Sequence, residues 1–174
     1  NYLYKKNPDG ANEVINTLEK KYMQHVEELY STDEYKEKTR EFLREEFKYM
    51  RSFTKDIFTS FEEKSIVAQG EIMSTNMVLN YLQEQGIKAT LLSAFDFMRT
   101  DKNAEPDAQY IKEKLTAIMT ENEGYQIYIT QGFICLNAYG EIDNLQRGGS
   151  DFTASLIGVA LGAEEIQIWT DIDG

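Results

Sequence analysis

The chain has 174 residues, of which 41% are hydrophobic, with one cysteine, one histidine and a formal net charge of -12. That length suits a single globular domain, and a lone Cys135 excludes a fold held by internal disulfides, so we expect a reducing compartment, the cytoplasm by default. The acidic charge repels phosphate backbones and anionic lipids, which argues against binding to nucleic acid or to a membrane surface.

The first 64 residues have the pattern of charged helices, since they carry 12 basic and 14 acidic residues. Apolar side chains recur every three to four residues over 11–30, which predicts one amphipathic helix. Thr32 and Asp33 then offer a cap for a second helix, and a third helical run is expected over 58–64. We therefore expect residues 1–64 to form a helical subregion.

From residue 65 onward, helical patterns alternate with short apolar runs, and the charge becomes strongly acidic, with 6 basic and 16 acidic residues. This alternation is typical of βαβ units in a mainly parallel sheet, so residues 65–174 predict an α/β core. The expected elements are, in order, a helix over 66–85, a strand over 89–93, a helix over 108–121, a strand over 126–130, a hairpin over 133–145, a helix over 151–161 and a strand over 165–169.

A glycine-rich turn with one cation precedes the predicted helix over 151–161. Arg147 is the only basic residue between Lys114 and the last residue, and Gly148, Gly149 and Ser150 follow it. Glycines allow a close backbone approach, a helix start supplies free N–H groups, and a guanidinium can bind a carboxylate with two hydrogen bonds. The pattern predicts a carboxylate cradle with Ser150 as the cap, although an ordinary glycine turn with a surface arginine fits equally well.

Three further acidic positions admit two interpretations each. Asp151 either complements the helix dipole or orients a lysine or a metal in phosphoryl transfer. Thr170 and Asp171 follow the last apolar run, where nucleotides bind in parallel sheets, yet the same residues also suit a simple turn. Glu71, next to Gly70 near the start of the helix predicted over 66–85, is either a dipole pair or a carboxylate facing a ligand.

Five short motifs occur in order along the second part of the chain. Residues 65–174 resemble the catalytic domain of aspartate kinases, in the amino-acid kinase superfamily, and residues 1–64 are similar to its variable helical region. The motifs that carry the resemblance are GEIMST at 70–75, FMRT at 97–100 with AEPD at 104–107, ITQGFI at 129–134, RGGSDFTA at 147–154 and WTDIDG at 169–174.

The resemblance implies a three-layer α/β/α sandwich that uses ATP and Mg²⁺ to phosphorylate the side-chain carboxylate of L-aspartate. Glu71 would then face the substrate ammonium, and Asp151 would orient the catalytic lysine. Thr170 and Asp171 would contact the nucleotide, with magnesium held mainly through phosphate oxygens and by no dedicated protein ligands. A homodimer is expected for the complete protein. The substrate carboxylate would be held by Arg147, Gly148, Gly149 and Ser150.

The sequence departs from the family pattern in one important respect. Aspartate kinases begin with a Lys-Phe-Gly-Gly-Thr-Ser segment whose lysine sits on the transferring phosphoryl group, and these 174 residues contain no such segment. The chain also starts at Asn1 and stops directly after an apolar run, so we expect a segment truncated at both ends that is inactive by itself. The alternative is a non-catalytic, aspartate-binding regulatory module of the same superfamily.

Overall fold

The computed structural model describes residues 2–55, 57–146 and 148–169. It contains two compact units, Asn1–Ala89 and Thr90–Gly174, which are treated separately below. The boundary predicted between residues 64 and 65 falls inside a helix, whereas the compact units divide between residues 89 and 90. No helix in the described ranges combines the length and the apolar character that crossing a membrane requires.

Three long helices form the first unit: α1 over Pro8–Leu29, α2 over Asp33–Ser52 and α3 over Ser60–Glu84. Asn7 caps α1, since its side chain accepts from the Gly10 N–H at 2.9 Å, and Pro8 supplies a pre-set first turn. Thr59 and Glu62 form a reciprocal capping box at the start of α3. The runs predicted at 58–64 and 66–85 are therefore one continuous helix.

Apolar residues of the three helices form one core in this unit. Tyr22 contacts Phe47 edge-on at a ring separation of 5.6 Å. Two buried hydrogen bonds cross the core, from Asn80 to the Thr39 hydroxyl at 3.0 Å and from the Tyr30 hydroxyl to the Met77 carbonyl at 2.7 Å. The buried core residues are Ile15, Val26, Tyr30, Leu43, Phe47, Met50, Met73 and Met77.

The second unit alternates helices with short strands, and β1 begins at the last residue of the first unit. Strand β1 pairs with β2, and β3 pairs antiparallel with β4, with Ile134 opposite Asn144. The hairpin predicted over 133–145 is confirmed. The elements are β1 over Ala89–Leu92, α4 over Ala94–Phe97, α5 over Ala108–Glu121, β2 over Ile127–Thr130, β3 over Ile134–Leu136, β4 over Ile142–Asn144 and α6 over Gly149–Leu161.

The loop that joins α4 to α5 is hydrogen-bonded to β3. Leu136 bonds on both sides of Arg99, since its N–H donates to the Met98 carbonyl and its carbonyl accepts from the Thr100 N–H. The Arg99 guanidinium lies 3.6 Å from the centre of the Tyr110 ring and pairs with Asp107, which caps α5. These contacts connect the start of α5 to the hairpin.

The strand predicted over 165–169 is wrong. These residues form no strand in the described part of the chain, and Trp169 is 87% exposed. The Ile166 side chain instead lies against α6, where a Cβ on Gly158 would be 2.3 Å from its Cδ1 atom. An alternating apolar pattern becomes a strand only when a neighbouring strand accepts its hydrogen bonds, and no described segment does so here.

Candidate functional site

The predicted glycine turn leads directly into α6. Gly148 is the N-cap and lies in the left-handed region with φ 77°, a conformation that favours glycine. The Gly149 N–H donates to the Gln146 carbonyl, and the Phe152 N–H is the first to donate to the N-cap carbonyl, that of Gly148. The N–H groups of Ser150 and Asp151 therefore precede the intrahelical ladder. These two groups make the helix start suited to an anion.

Ser150 does not cap the helix, contrary to the expectation from sequence. The cap position belongs to Gly148, and no side chain bonds there as a cap. Ser150 and Asp151 instead occupy the first turn, where both side chains are exposed. A hydroxyl and a carboxylate thus stand beside the N–H groups of the first turn, on the side open to solvent.

A second loop packs closely against this helix start. It comprises residues 131–133, between β2 and β3, and we call it the Gln-Gly-Phe loop. A Cβ on Gly132 would lie 3.0 Å from the Ser150 Oγ atom, and a Cβ on Gly149 would lie 2.9 Å from Cδ2 of Phe133. A side chain at either position would crowd the neighbouring segment, since the added Cβ atoms would also lie 3.1 Å from the Ser150 Cα and 3.2 Å from the Phe133 Cα.

Sequence reasoning assigned no role to the Gln-Gly-Phe loop. Gln131 is buried, and its Oε1 atom accepts from the Ala94 N–H at 2.9 Å, so the loop is also tied to the start of α4. Phe133 has φ 69°, which is rare for a residue with a side chain. The available signal was a glycine and an aromatic residue directly after a predicted strand, where ligands commonly bind in α/β folds.

Glu71 lies in the middle of α3, in the first unit, and not near a helix start. The interpretation as a helix-dipole pair is therefore wrong, because the dipole acts within the first turn. Its side chain is half-buried, and burial raises the pKa of the Glu71 carboxyl above its ordinary value. A carboxylate held in this way suits a cationic ligand group, so the ligand-facing role stays a prediction.

The other predicted residues divide into two groups. Gly148, Gly149, Ser150 and Asp151 are contiguous at the start of α6, in the second unit, whereas Arg147 lies outside the described residues. The predicted nucleotide-binding pair, Thr170 and Asp171, also lies outside them. Within the described ranges, no three histidine, cysteine or acidic side chains are grouped so as to hold a metal ion.

Comparison with known proteins identifies relatives of this chain. The model of the amino acid kinase family matches residues 10–174. Lysine-sensitive aspartokinase 3 of Escherichia coli is 40% identical over 114 residues, which cover 63% of this chain and 25% of that protein. An aspartokinase of Chlamydia muridarum is 34% identical over 117 residues, which cover 65% of this chain and 26% of that protein.

Solved structures give the same result for the fold. Escherichia coli aspartokinase III in complex with aspartate and ADP has a TM-score of 0.70 at 32% identity, covering 86% of this chain and 34% of that one. Clostridium acetobutylicum aspartate kinase has a TM-score of 0.72 at 21% identity, covering 94% and 33%. These likenesses confirm the predicted α/β fold class. The chain spans about a quarter of the length of these related sequences and a third of the length of these structures.

Proposed function

Since the chain belongs to the amino acid kinase family, we propose that it is the central part of the catalytic domain of an aspartate kinase. The reaction transfers the γ-phosphoryl group of ATP to the side-chain carboxylate of L-aspartate, giving 4-phospho-L-aspartate and ADP. This is the first step of lysine, threonine and methionine synthesis. The observation that carries the proposal is the helix start at 148–151, whose first-turn N–H groups suit an anion, in a chain similar to an aspartokinase solved in complex with aspartate and ADP.

We assign substrate binding to two charged residues and to the backbone of one short segment. Arg147, with the backbone of Gly148, Gly149 and Ser150, binds a carboxylate of aspartate through a guanidinium and first-turn N–H groups. Glu71 binds the substrate ammonium, for which an ionised carboxylate is the natural partner. The half-buried position of Glu71 supports this role, because a cation nearby stabilises its charged form.

Phosphoryl transfer needs residues that position charge rather than form covalent bonds. Asp151 orients the lysine that contacts the transferring group, and its exposed position in the first turn of α6 supports this role. Thr170 and Asp171 contact the nucleotide. Mg²⁺, which would be held mainly through the phosphate oxygens of ATP, would supply positive charge that neutralises the phosphates.

We extend the proposal to the setting of the whole protein. The acidic charge supports a protein that binds neither nucleic acid nor membranes, and the single cysteine supports a cytoplasmic location. The homodimer rests on the family resemblance alone. The alternative function is an aspartate-binding regulatory module of the same superfamily. The two functions differ in one outcome, since the module binds L-aspartate without making a phosphorylated product.

Replacement of Arg147 tests the substrate role. In the whole protein that carries this chain, Arg147→Ala should lower kcat/KM for L-aspartate, because a substrate carboxylate loses its partner. The loss should correspond to about 2–5 kcal/mol of transition-state stabilisation. Arg147→Lys is the matched variant, since it keeps the charge but cannot make two parallel hydrogen bonds. Hydroxylamine trapping of the acyl phosphate measures the rate. A loss of tenfold or less in Arg147→Ala would show that Arg147 does not contact the substrate.

A further inference from the structure

Phe133 occupies a strained turn beside the carboxylate cradle. Its φ is 69°, and the Ile134 N–H donates to the Gly132 carbonyl at 2.8 Å, two residues back. A residue with positive φ whose two neighbours are joined by such a hydrogen bond forms a classic γ-turn, which is rare and strained. Such a turn persists only when the surrounding structure holds it, and strain of this kind is concentrated at functional sites.

One side chain of α6 holds the turn at Phe133 in place by a hydrogen bond. Thr153 is only 2% exposed, and its hydroxyl accepts from the Phe133 N–H at 3.1 Å while it donates to the Gly149 carbonyl at 2.7 Å. The other side of the turn is fixed as well, because the Phe133 carbonyl accepts from the Leu145 N–H at 2.8 Å. The hydroxyl therefore joins the strained turn to the first residue of α6.

We propose that Thr153 is a positioning residue, whose hydroxyl fixes the γ-turn at Phe133 and thereby sets the position of the first turn of α6. The mechanical connection is direct, since Gly132 packs tightly against Ser150 and Gly149 packs tightly against Phe133. Relaxation of the turn would displace the N–H groups of Ser150 and Asp151 by way of these contacts. The catalytic consequence, weaker binding of L-aspartate, rests on the proposed function.

The test uses Thr153→Val, which has nearly the same shape but lacks the hydroxyl. Amide hydrogen exchange, measured without substrate on the whole protein, should become about tenfold faster or more at Phe133, with altered amide chemical shifts at Ser150 and Asp151. The KM for L-aspartate should rise about tenfold while kcat and the KM for ATP change less than about threefold. In Thr153→Ser, which keeps a hydroxyl, the exchange rate at Phe133 and the KM for L-aspartate should both stay close to those of the unmodified protein.

A matched control separates this role from the general effect of losing a helical hydroxyl. Thr120 makes the same bond to the carbonyl four residues back, at 3.0 Å to Thr116, on the exposed face of α5. Thr120→Val should leave Phe133 exchange and the KM for L-aspartate unchanged. Thr153→Ser also guards against a folding failure of the valine variant, because it should fold and keep the turn protected.

Two results would overturn the inference. If Phe133 exchange in Thr153→Val stays as slow as in the unmodified protein, the hydroxyl does not hold the turn. If exchange accelerates while the Ser150 and Asp151 amides and the KM for L-aspartate stay unchanged, the turn does not position the cradle. Should the whole protein prove inactive toward L-aspartate, the proposed function fails, and the amide measurements alone decide the role of Thr153.

Discussion

Glu71 is a half-buried carboxylate, and we predict that it faces the substrate. Burial raises its pKa, so its ionised form costs stability, and Glu71→Gln should not lower the unfolding midpoint at pH 7. The same variant should raise the KM for L-aspartate at least about tenfold, because the ammonium loses its partner.

The pH dependence of the KM gives a second check on Glu71. As the pH falls through the raised pKa, the carboxyl becomes neutral and the KM for L-aspartate should rise in the unmodified protein. Glu71→Gln should flatten this acidic limb. A variant with an unchanged KM and an unchanged pH profile would remove Glu71 from the substrate site.

Two glycines of the chain should respond in opposite ways to alanine. Gly149→Ala brings a Cβ to 3.2 Å from the Phe133 Cα atom and should cost about 1–3 kcal/mol of stability, with loss of L-aspartate binding. Gly70→Ala meets nothing within 4 Å in the middle of α3 and should gain about 0.5–1 kcal/mol from helix propensity. Urea unfolding midpoints measure both changes, and a Gly149→Ala protein as stable as the unmodified one would contradict the close approach.

At this scale, the sequence pattern located the start of α6 but not the contacts around it. Residues 148–151 predict a helix start, because glycine, serine and aspartate are favoured at helix N-termini. The Gln-Gly-Phe loop and Thr153 are separated by about 20 residues in the sequence, and only the fold brings them together. A buried hydroxyl that joins two distant backbones leaves no local signature, so the sequence gives no means to assign its role.

Among the helices, α3 is tied to the start of α2 by a single carboxylate. Glu84 accepts from the Ser31 N–H at 3.0 Å and from the Thr32 N–H at 2.7 Å, and it also bonds the Thr32 hydroxyl. Hydrogen bonding from the Thr32 hydroxyl lowers the pKa of Glu84, against a smaller opposing effect of burial. Thr32 occupies the N-cap position of α2, but its side chain makes no capping bond and donates to Glu84 instead.

The lowered pKa of Glu84 fixes the sign of its pH dependence. A carboxyl with a lowered folded pKa stabilises the protein above its unfolded pKa, about 4.3, and loses this contribution as the pH falls through the folded value. Glu84→Gln should therefore lower Tm at pH 7, and the difference from the unmodified protein should shrink below about pH 4. Glu13→Gln, on the exposed face of α1, is the control. A Tm difference that is the same at pH 7 and pH 3 would contradict the charged cap.

Element types were predictable where periodicity is local, and less so where pairing is distant. The helix over Ala108–Glu121 and the hairpin over 133–145 follow directly from their apolar spacing and turn residues. The break expected near Ser65 does not occur, since Ser65 is buried within α3 and its hydroxyl bonds the Phe61 carbonyl. The run at 165–169 has strand composition but no pairing partner among the described residues.

For the molecule as a whole, the sequence motifs identified the family and the structure confirmed the fold class. The chain spans about a quarter of the length of its related sequences and a third of the length of its related structures. The 174-residue chain alone should give no aspartyl hydroxamate above background, because it contains no Lys-Phe-Gly-Gly segment to neutralise the transferring phosphoryl group. Production of hydroxamate by this chain at the rate of the whole protein would contradict that expectation.

The most direct measurement is the ³¹P NMR spectrum of the whole protein with ATP, Mg²⁺ and L-aspartate. The proposed function predicts an acyl-phosphate resonance that grows with that of ADP, requires L-aspartate, and is lost on addition of hydroxylamine. A spectrum in which ATP stays intact at saturating L-aspartate, or yields only ADP and inorganic phosphate, would contradict the assignment as an aspartate kinase. If L-aspartate still binds in that case, the regulatory alternative is the correct one.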